Sequence, residues 1–417
     1  MLKKLAGFAW LLCFAVTLDA QRNCVSYEYS QQLVTRDPLL LSRIVEIENF
    51  TQRNSGRELP ISAFRHTEDT IRIPVVVHVL YHYPHENIGE EKIIEQIGIL
   101  NRDFGKRNSD TVKIPSAFAP LAANTKIEFQ LATRDSRGRA SNGIVRRYTP
   151  VKKWVMDDKM KFSSEMGSDA WDAASYLNIW ICNLEDLLGY ASFPGAPAER
   201  DGVVLNYKIV GEVGYFGAYN KGRTAVHEVG HWLNLRHIWG DADCGNDAVD
   251  DTPTQRSYTP GCPSGIRVTC GNAPAGDMYM NYMDFTSDAC VYMFTLGQKA
   301  RMRSLFAPGG FRHSLLSSQG LDTPAIEEAP LPEEPPRWLH IKIYPNPAST
   351  VLTLNFEHDI RWIGRQFQVI DISGRILMKK TITSSVQQLD VSGMKPGVYF
   401  IRGEKEGEKL MERFLKL

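Results

Sequence analysis

Three histidines and a glutamate, spaced as in a metal site, lie within the eleven residues from His227 to His237. His227 and His231 are four positions apart, which on a helix is about 40° of rotation and about 6 Å of rise, so both imidazoles project toward one point. Glu228 is rotated by about 100° from His227 and can reach a metal-bound water without being a ligand. The spacing predicts two metal ligands and one catalytic base on a single helical turn.

The third histidine requires the chain to turn back. His237 lies six residues after His231, and a continuing helix would carry it about 9 Å further along the axis. Asn234 lies between them, and Asn tolerates the left-handed conformation that ends helices. We therefore expect a reversal at Asn234 and a site with three histidine ligands to one Zn²⁺, whose open fourth position is typical of a catalytic centre.

The segment HEVGHWLNLRHIWGD, residues 227–241, resembles the pappalysin family of the metzincin metallopeptidases. Residues 281–285 (NYMDF) are similar to the family's Met-turn, which implies that Met283 forms an apolar floor beneath the metal. The resemblance covers roughly residues 70–310. It implies a zinc-dependent endopeptidase that hydrolyses proteins and peptides, with Glu228 as the base.

Two positions near the Met-turn bear on the chemistry. The family has Tyr where this chain has Phe285, and Phe has no hydroxyl to stabilise a tetrahedral intermediate. Either another group, with Tyr282 and Tyr292 as candidates, supplies that hydrogen bond, or no group does. Asp288 resembles the floor of the family's pocket for the residue after the scissile bond, which implies cleavage on the amino side of Arg or Lys; a surface aspartate is the alternative.

Four of the seven cysteines, Cys244, Cys262, Cys270 and Cys290, form a cluster after the histidines. In an exported chain an even cluster indicates two disulfides, and the sequence alone allows three pairings. The family resemblance implies Cys244–Cys270 and Cys262–Cys290, each worth about 3–4 kcal/mol in the chain-entropy model.

Closely spaced oxygen ligands in residues 247–253 suit a hard cation such as Ca²⁺. The resemblance implies structural calcium in this region, and a solvated acidic turn is the alternative. The candidate calcium ligands are Asp247, Val249, Asp250, Asp251 and Thr252.

The N-terminus has the features of an export signal. Lys3 and Lys4 precede an apolar run that is too short to span a bilayer, which predicts a signal peptide over residues 1–20 and a secreted or cell-surface protein that passes through the periplasm. We interpret residues 21–56, extending at most to about 65, as a pro-segment. Gly56–Arg57 is a candidate self-processing point, and Arg53 and Arg65 compete with it.

Cys24 follows the predicted signal directly. Its thiolate could fill the open position on zinc and keep a zymogen latent, as the family resemblance implies; an unpaired pro-segment thiol is the alternative. Cys182, within an apolar strand-like run, is predicted to be a buried free thiol.

Strand patterns alternate with helical ones between residues 57 and 318. This order predicts an α/β (α+β) metzincin domain with a mixed twisted sheet and an active-site helix. The predicted strands are residues 71–81, 126–132, 177–182, 188–193 and 203–207, and the predicted helix is 90–104.

The C-terminal part has a different composition. Residues 319–336 are a Pro- and Glu-rich linker. Short strand patterns between turn residues predict a small all-β sandwich over 337–417. Its motifs resemble the sorting domain of the bacterial type-nine secretion system, which implies the outer-membrane secretion machinery as a partner; a carbohydrate- or protein-binding sandwich is the alternative.

Charge and hydropathy exclude other partners. Lys plus Arg and Asp plus Glu are equal at 48 each, so nothing points to nucleic acid, and no later apolar run is long enough for a stable membrane span. Two rival functions remain: a zinc-bearing binding protein that has lost turnover, and a zinc hydrolase that does not act on peptides.

Overall fold

A computed structural model describes residues 24–55, 69–212, 217–326, 340–405 and 408–417 of the chain. The predicted signal peptide at 1–20, the candidate cleavage points at Gly56–Arg57 and Arg65, and most of the linker lie outside the described residues. In the part of the chain that the structure describes, no helix combines the length and the apolar character needed to cross a bilayer.

The α-helices of the described residues follow local sequence signals. They are α1 (Ser26–Arg36), α2 (Pro38–Asn54), α3 (Glu90–Phe104), α4 (Arg223–Trp232) and α5 (Leu296–Ser304). Helix α3 has the bounds predicted from its apolar period. No element was predicted within the proposed pro-segment, but α1 and α2 occupy it; Pro38 begins α2, where a missing N–H is tolerated.

A six-stranded mixed sheet forms the catalytic part of the chain. Its strands are β1 (Ile71–Tyr81), β2 (Ile127–Leu131), β3 (Ile144–Tyr148), β4 (Leu177–Cys182), β5 (Gly189–Ala191) and β6 (Val203–Asn206). The order is β2-β1-β4-β6-β5, and β3 also pairs with β1. Only β5 is antiparallel to its neighbour, and it forms the edge, as predicted for the 188–193 segment.

Both faces of this sheet are covered, which explains its continuous apolar strands. Alternate residues of β1 such as Val75 and Val77 pack with α3, α4 and Met283. On the opposite face, Trp180 and Tyr190 pack with residues of α1 and α2. The active-site helix thus packs on one face of the sheet, and residues such as Tyr29 and Leu40 of the proposed pro-segment pack on the other.

The C-terminal part is all β, as predicted, and has an apolar core of its own. A four-stranded sheet has the order β10-β9-β12-β13 and a three-stranded sheet the order β11-β8-β7. The strands are β7 (Lys342–Tyr344), β8 (Val351–Asn355), β9 (Gln366–Asp371), β10 (Ile376–Thr381), β11 (Val386–Asp390), β12 (Gly397–Lys405) and β13 (Glu408–Lys416).

Two neighbouring isoleucines of α3 test the packing of the helix on the sheet. Ile93 is 1% exposed and Ile94 is 53% exposed. We expect Ile93→Ala to destabilise the catalytic part by about 2–5 kcal/mol because it leaves a cavity, and Ile94→Ala by at most about 0.5 kcal/mol. Calorimetric melting of the full chain measures both changes in stability. Both variants replace Ile with Ala on the same helix, so the gain in helix propensity is the same and the difference between them reports the packing. Equal effects would contradict the packing.

Candidate metal centre and active site

Helix α4 presents His227 and His231 on one face, as predicted, with their Nε2 atoms 3.0 Å apart. Both rings are completely buried. His227 Nδ1 lies 2.7 Å from the Tyr282 carbonyl oxygen and His231 Nδ1 lies 2.8 Å from the Leu235 carbonyl oxygen. Because a carbonyl can only accept, each Nδ1 carries the proton, and each Nε2 directs its lone pair toward the other ring.

The chain reverses at Asn234, whose φ is 71°. The helix ends at Trp232, and the Leu235 N–H donates back to the Gly230 carbonyl at 2.9 Å. The reversal places His237 Nε2 3.1 Å from His231 Nε2. The prediction of a left-handed residue that returns the third histidine is thus confirmed.

Two neighbours fix the ring of His237. Its Nδ1 lies 2.5 Å from Asp241 Oδ1, so the carboxylate holds the proton on Nδ1 and raises the basicity of Nε2. Trp239 stacks on the ring at 4.4 Å with only 4° between the planes. All three histidines therefore present Nε2 to a common centre.

The donor set fits a divalent cation. One ligand atom each from Cys24, His227, His231 and His237 lies within 4.8 Å of the other three, and all four residues are buried. Three inward-facing lone pairs repel one another unless a cation lies between them. Burial and the neighbouring Glu228 carboxylate raise the pKa of the Cys24 thiol, so a thiolate at this position also requires a cation.

Glu228 lies beside the centre and is completely buried. Its Oε2 accepts a hydrogen bond from Ser26 Oγ at 2.9 Å and lies 3.6 Å from Cys24 Sγ. Cys24 Sγ in turn lies 3.4 Å from His231 Nε2 and its backbone pairs with Gly189 of β5. The N-terminal segment therefore occupies both the metal side and the carboxylate side of the centre.

Met283 lies beneath α4, where the resemblance placed it. A Cβ atom at position 230 would come within 2.5 Å of Met283 Sδ, so Gly230 is needed for this contact. Phe285 packs its ring against His237 and Trp239, at 4.8 Å from each. It forms an apolar wall of the centre.

Neither alternative tyrosine supplies the hydroxyl that Phe285 lacks. The Tyr282 side chain interacts with Asp103 on α3, and the Tyr292 hydroxyl donates to the Lys113 carbonyl at 3.1 Å. These contacts place both hydroxyls among residues other than the three histidines. The structure therefore does not support either tyrosine in this role.

Disulfides join Cys244 with Cys270 and Cys262 with Cys290. This is the pairing that the resemblance implied, and Cys182 is a buried free thiol as predicted. The two bonds close loops with sequence separations of 26 and 28 residues in an otherwise irregular lobe. Cys262–Cys290 joins the segment before the Met-turn to the segment after it, whereas Cys244–Cys270 closes a loop that lies wholly before the Met-turn.

The structure brings only part of the predicted calcium set together. Thr252 Oγ1 lies within 2.8–2.9 Å of both Asp247 carboxylate oxygens and of the Val249 carbonyl oxygen. Burial raises the pKa of Asp247 to about 7. By contrast, the Asp251 carboxylate accepts from Thr295 Oγ1 and Gly297 N at the start of α5, and Asp250 is exposed. The side chains of these two do not join the cluster.

Asp288 is completely buried, and so it is not a surface aspartate. Its Oδ2 accepts from the backbone N–H groups of Lys221 and Arg223 at 2.9 and 3.2 Å, at the start of α4. This contact ties the segment after the Met-turn to the active-site helix, where a negative charge is favourable.

Two supports of the centre were missed by the sequence analysis. Ser26 lies two residues after Cys24, and the i, i+2 spacing of an extended segment could have placed both side chains on one side. Asp241, which orients His237, has no distinguishing local pattern. Its role depends on the reversal of the chain, which sequence spacing alone does not describe.

Comparisons with known proteins agree with this geometry. The family model described as pregnancy-associated plasma protein-A, of the pappalysin peptidases, matches residues 161–307. A promirolysin variant of Tannerella forsythia has a TM-score of 0.65 and 47% identity, covering 71% of this chain and 97% of that chain. Mature mirolysin of the same organism with a cleaved peptide has a TM-score of 0.58 and 51% identity, covering 59% and 96%. An extracellular metalloprotease of Verticillium alfalfae is 32% identical over 254 residues, 57% of this chain and 78% of the relative.

The chain belongs to the pappalysin family of metallopeptidases. It is a secreted metallopeptidase, because residues 342–416 match the secretion system C-terminal sorting domain and its curated relatives are extracellular. The mixed sheet and the all-β C-terminal part have the fold class predicted from the sequence.

Proposed function

We propose that this pappalysin is made as the zymogen of a zinc-dependent endopeptidase that cleaves proteins on the amino side of Arg and Lys. The observation that supports it most is the convergence of three histidine Nε2 atoms, 3.0 and 3.1 Å apart, beside the buried carboxylate of Glu228. A mere binding site has no need for such a base.

His227, His231 and His237 would hold one Zn²⁺, which when bound lowers the pKa of a coordinated water and polarises a carbonyl. Glu228 takes a proton from water and delivers it to the departing amine. Its Oε2 already accepts a hydrogen bond from a hydroxyl, that of Ser26. The edge strand β5 can pair with an extended substrate by strand addition.

Latency in this proposal comes from Cys24 as the fourth metal ligand, within a pro-segment at residues 21–56 that follows a signal peptide at 1–20. The thiol excludes water from the open position. The catalytic domain then spans residues 57–318, and the linker at 319–336 leads to residues 337–417, which engage the type-nine secretion machinery of a bacterial outer membrane.

The role of Glu228 is tested by Glu228→Gln in the matured enzyme. We expect kcat on casein to fall by roughly 10²–10⁴-fold, because the general base is lost, while the bound zinc measured by elemental analysis stays at one per chain. Glu165→Gln, an exposed glutamate, is the control and should leave kcat unchanged. Full activity without the Glu228 carboxylate would refute the mechanism and favour a different hydrolase chemistry.

Specificity is tested by Asp288→Asn. The amide oxygen can still accept from the N–H groups of Lys221 and Arg223, so the start of α4 is kept, but the charge is lost. We expect the preference for Arg and Lys after the scissile bond to weaken by about tenfold or more, as measured by mass-spectrometric mapping of products from a whole proteome. An unchanged preference, with an unchanged melting temperature, would exclude Asp288 as its source.

Calcium is proposed to bind Asp247, the Val249 carbonyl and Thr252, three of the five predicted residues. Since binding to the folded form alone stabilises it, added Ca²⁺ should raise the melting temperature of the wild type and not that of Asp247→Asn. Asp250→Asn, on the exposed side of the same turn, should respond like the wild type. Equal shifts in wild type and Asp247→Asn would place the calcium elsewhere.

A further inference from the structure

The N-terminal segment of residues 24–55 contacts the active site at separate places through α1 and α2. At the start of α1, Ser26 Oγ donates to Glu228 Oε2 and accepts from the Ala191 N–H, both at 2.9 Å. Ser26 is completely buried. The Ser26 hydroxyl therefore uses the Glu228 carboxylate and the Ala191 N–H of the edge strand β5 at the same time. Neither of these two hydrogen bonds involves the Cys24 thiol.

Tyr29 of α1 fills a polar pocket beside β5, which we call the phenol pocket and define by Asp158, Lys161 and Tyr190. The Tyr29 hydroxyl donates to Asp158 Oδ2 at 2.6 Å and accepts from Lys161 Nζ at 3.2 Å. Its ring lies 4.9 Å from that of Tyr190. Asp158 and Lys161 are fully buried and pair with each other at 3.0 Å, and Arg200 also pairs with Asp158 at 2.8 Å, so the Asp158 carboxylate has cationic partners without Tyr29.

Helix α2 contacts the reversal that brings His237 to the centre. Glu48 accepts two hydrogen bonds from the guanidinium of Arg301, at 2.8 and 2.5 Å. Arg301 Nε donates to the Asn234 carbonyl at 2.7 Å, and Asn234 Nδ2 donates to Thr51 Oγ1 at 3.1 Å. Arg301 is 2% exposed, and removing one partner of a buried charge pair is costly.

All of these contacts lie within residues 24–55, whereas the connection to β1 runs through residues 56–68. The candidate processing point at Gly56–Arg57 falls in that connection. A cut there breaks one peptide bond and removes none of the contacts. Two linked attachments also hold each other in place, because the second binds at a high effective concentration once the first is made.

We infer that the fragment of residues 21–56 stays bound after the connection is cut and inhibits the enzyme in trans. Its binding surface consists of the phenol pocket, the Ala191 N–H with Glu228, and the turn at Asn234 with Arg301. Activity then appears when the fragment dissociates or is itself degraded. The inference rests on the proposed zymogen, but binding of the fragment needs no catalysis and can be measured without it.

The first experiment uses the full chain with Glu228→Gln, which cannot process itself, and a foreign protease site replacing residues 58–64. After complete cutting at that site, native gel filtration with mass spectrometry shows whether the fragment co-elutes with the rest of the chain. We expect co-elution. A fragment that elutes alone immediately after the cut overturns the inference, whether or not the wild type is a peptidase.

Matched pairs within the fragment then locate the binding. In the same cut chain, Glu48→Gln should raise the dissociation constant by about thirtyfold or more, since it removes one partner of a buried charge pair. Tyr29→Phe should raise it by about tenfold through loss of a hydrogen bond to a carboxylate. The controls Glu46→Gln and Tyr27→Phe, at exposed positions of the same helices, should leave it unchanged. Equal effects of test and control variants overturn the assigned surface.

The last experiment adds a synthetic peptide of residues 21–56 to the matured enzyme. We expect inhibition by the wild-type peptide, and weaker but measurable inhibition by the Cys24→Ser peptide, because Ser26, Tyr29 and Glu48 bind without the thiol. Inhibition that vanishes completely with Cys24→Ser, or a wild-type peptide without effect, contradicts the inference.

Discussion

The left-handed backbone at Asn234 is the constraint on which the metal centre depends. With φ at 71°, this residue ends α4 and lets Leu235 make two contacts at once. Its N–H donates to the Gly230 carbonyl and its carbonyl accepts from His231 Nδ1. A helix that continued past this point would lose the orientation of His231 and would carry His237 away, so one backbone conformation determines two of the three ligands.

The same turn connects the centre with the N-terminal segment. Arg301 holds the Asn234 carbonyl on one side and the Glu48 carboxylate of α2 on the other. The N-terminal segment therefore contacts both the reversal, through Glu48, and the histidine centre, through Cys24 and Ser26. The Met-turn contributes from a third segment, because the Tyr282 carbonyl orients His227 and Met283 packs beneath Gly230. A distant carbonyl thus fixes the tautomer of His227, whereas Leu235 and Asp241, each four residues away, fix those of His231 and His237.

Helices and strands with a regular spacing of apolar residues, and a turn that needs one particular backbone conformation, could be predicted from the sequence. The bounds of α3, the strands β1 and β4, and the reversal at Asn234 follow from apolar spacing and from the conformational preference of Asn. The contact of Ser26 with Glu228 and the Glu48–Arg301 pair could not be predicted, because they depend on segments that meet only in the folded chain. Asp241 was missed because no local pattern distinguishes it. The predicted calcium ligands are only partly together for a related reason: Asp251 has the right chemistry, but its carboxylate accepts hydrogen bonds at the start of α5.

X-ray absorption at the zinc edge of the full-length latent chain tests the central claim most directly. If the reversal at Asn234 brings His237 to the ion and Cys24 completes the centre, the spectrum will require three nitrogen neighbours and one sulfur neighbour. Loss of one nitrogen in His237→Ala would assign the third ligand. A wild-type centre with two nitrogens, or a spectrum without sulfur, would contradict the convergence of these four side chains on one ion.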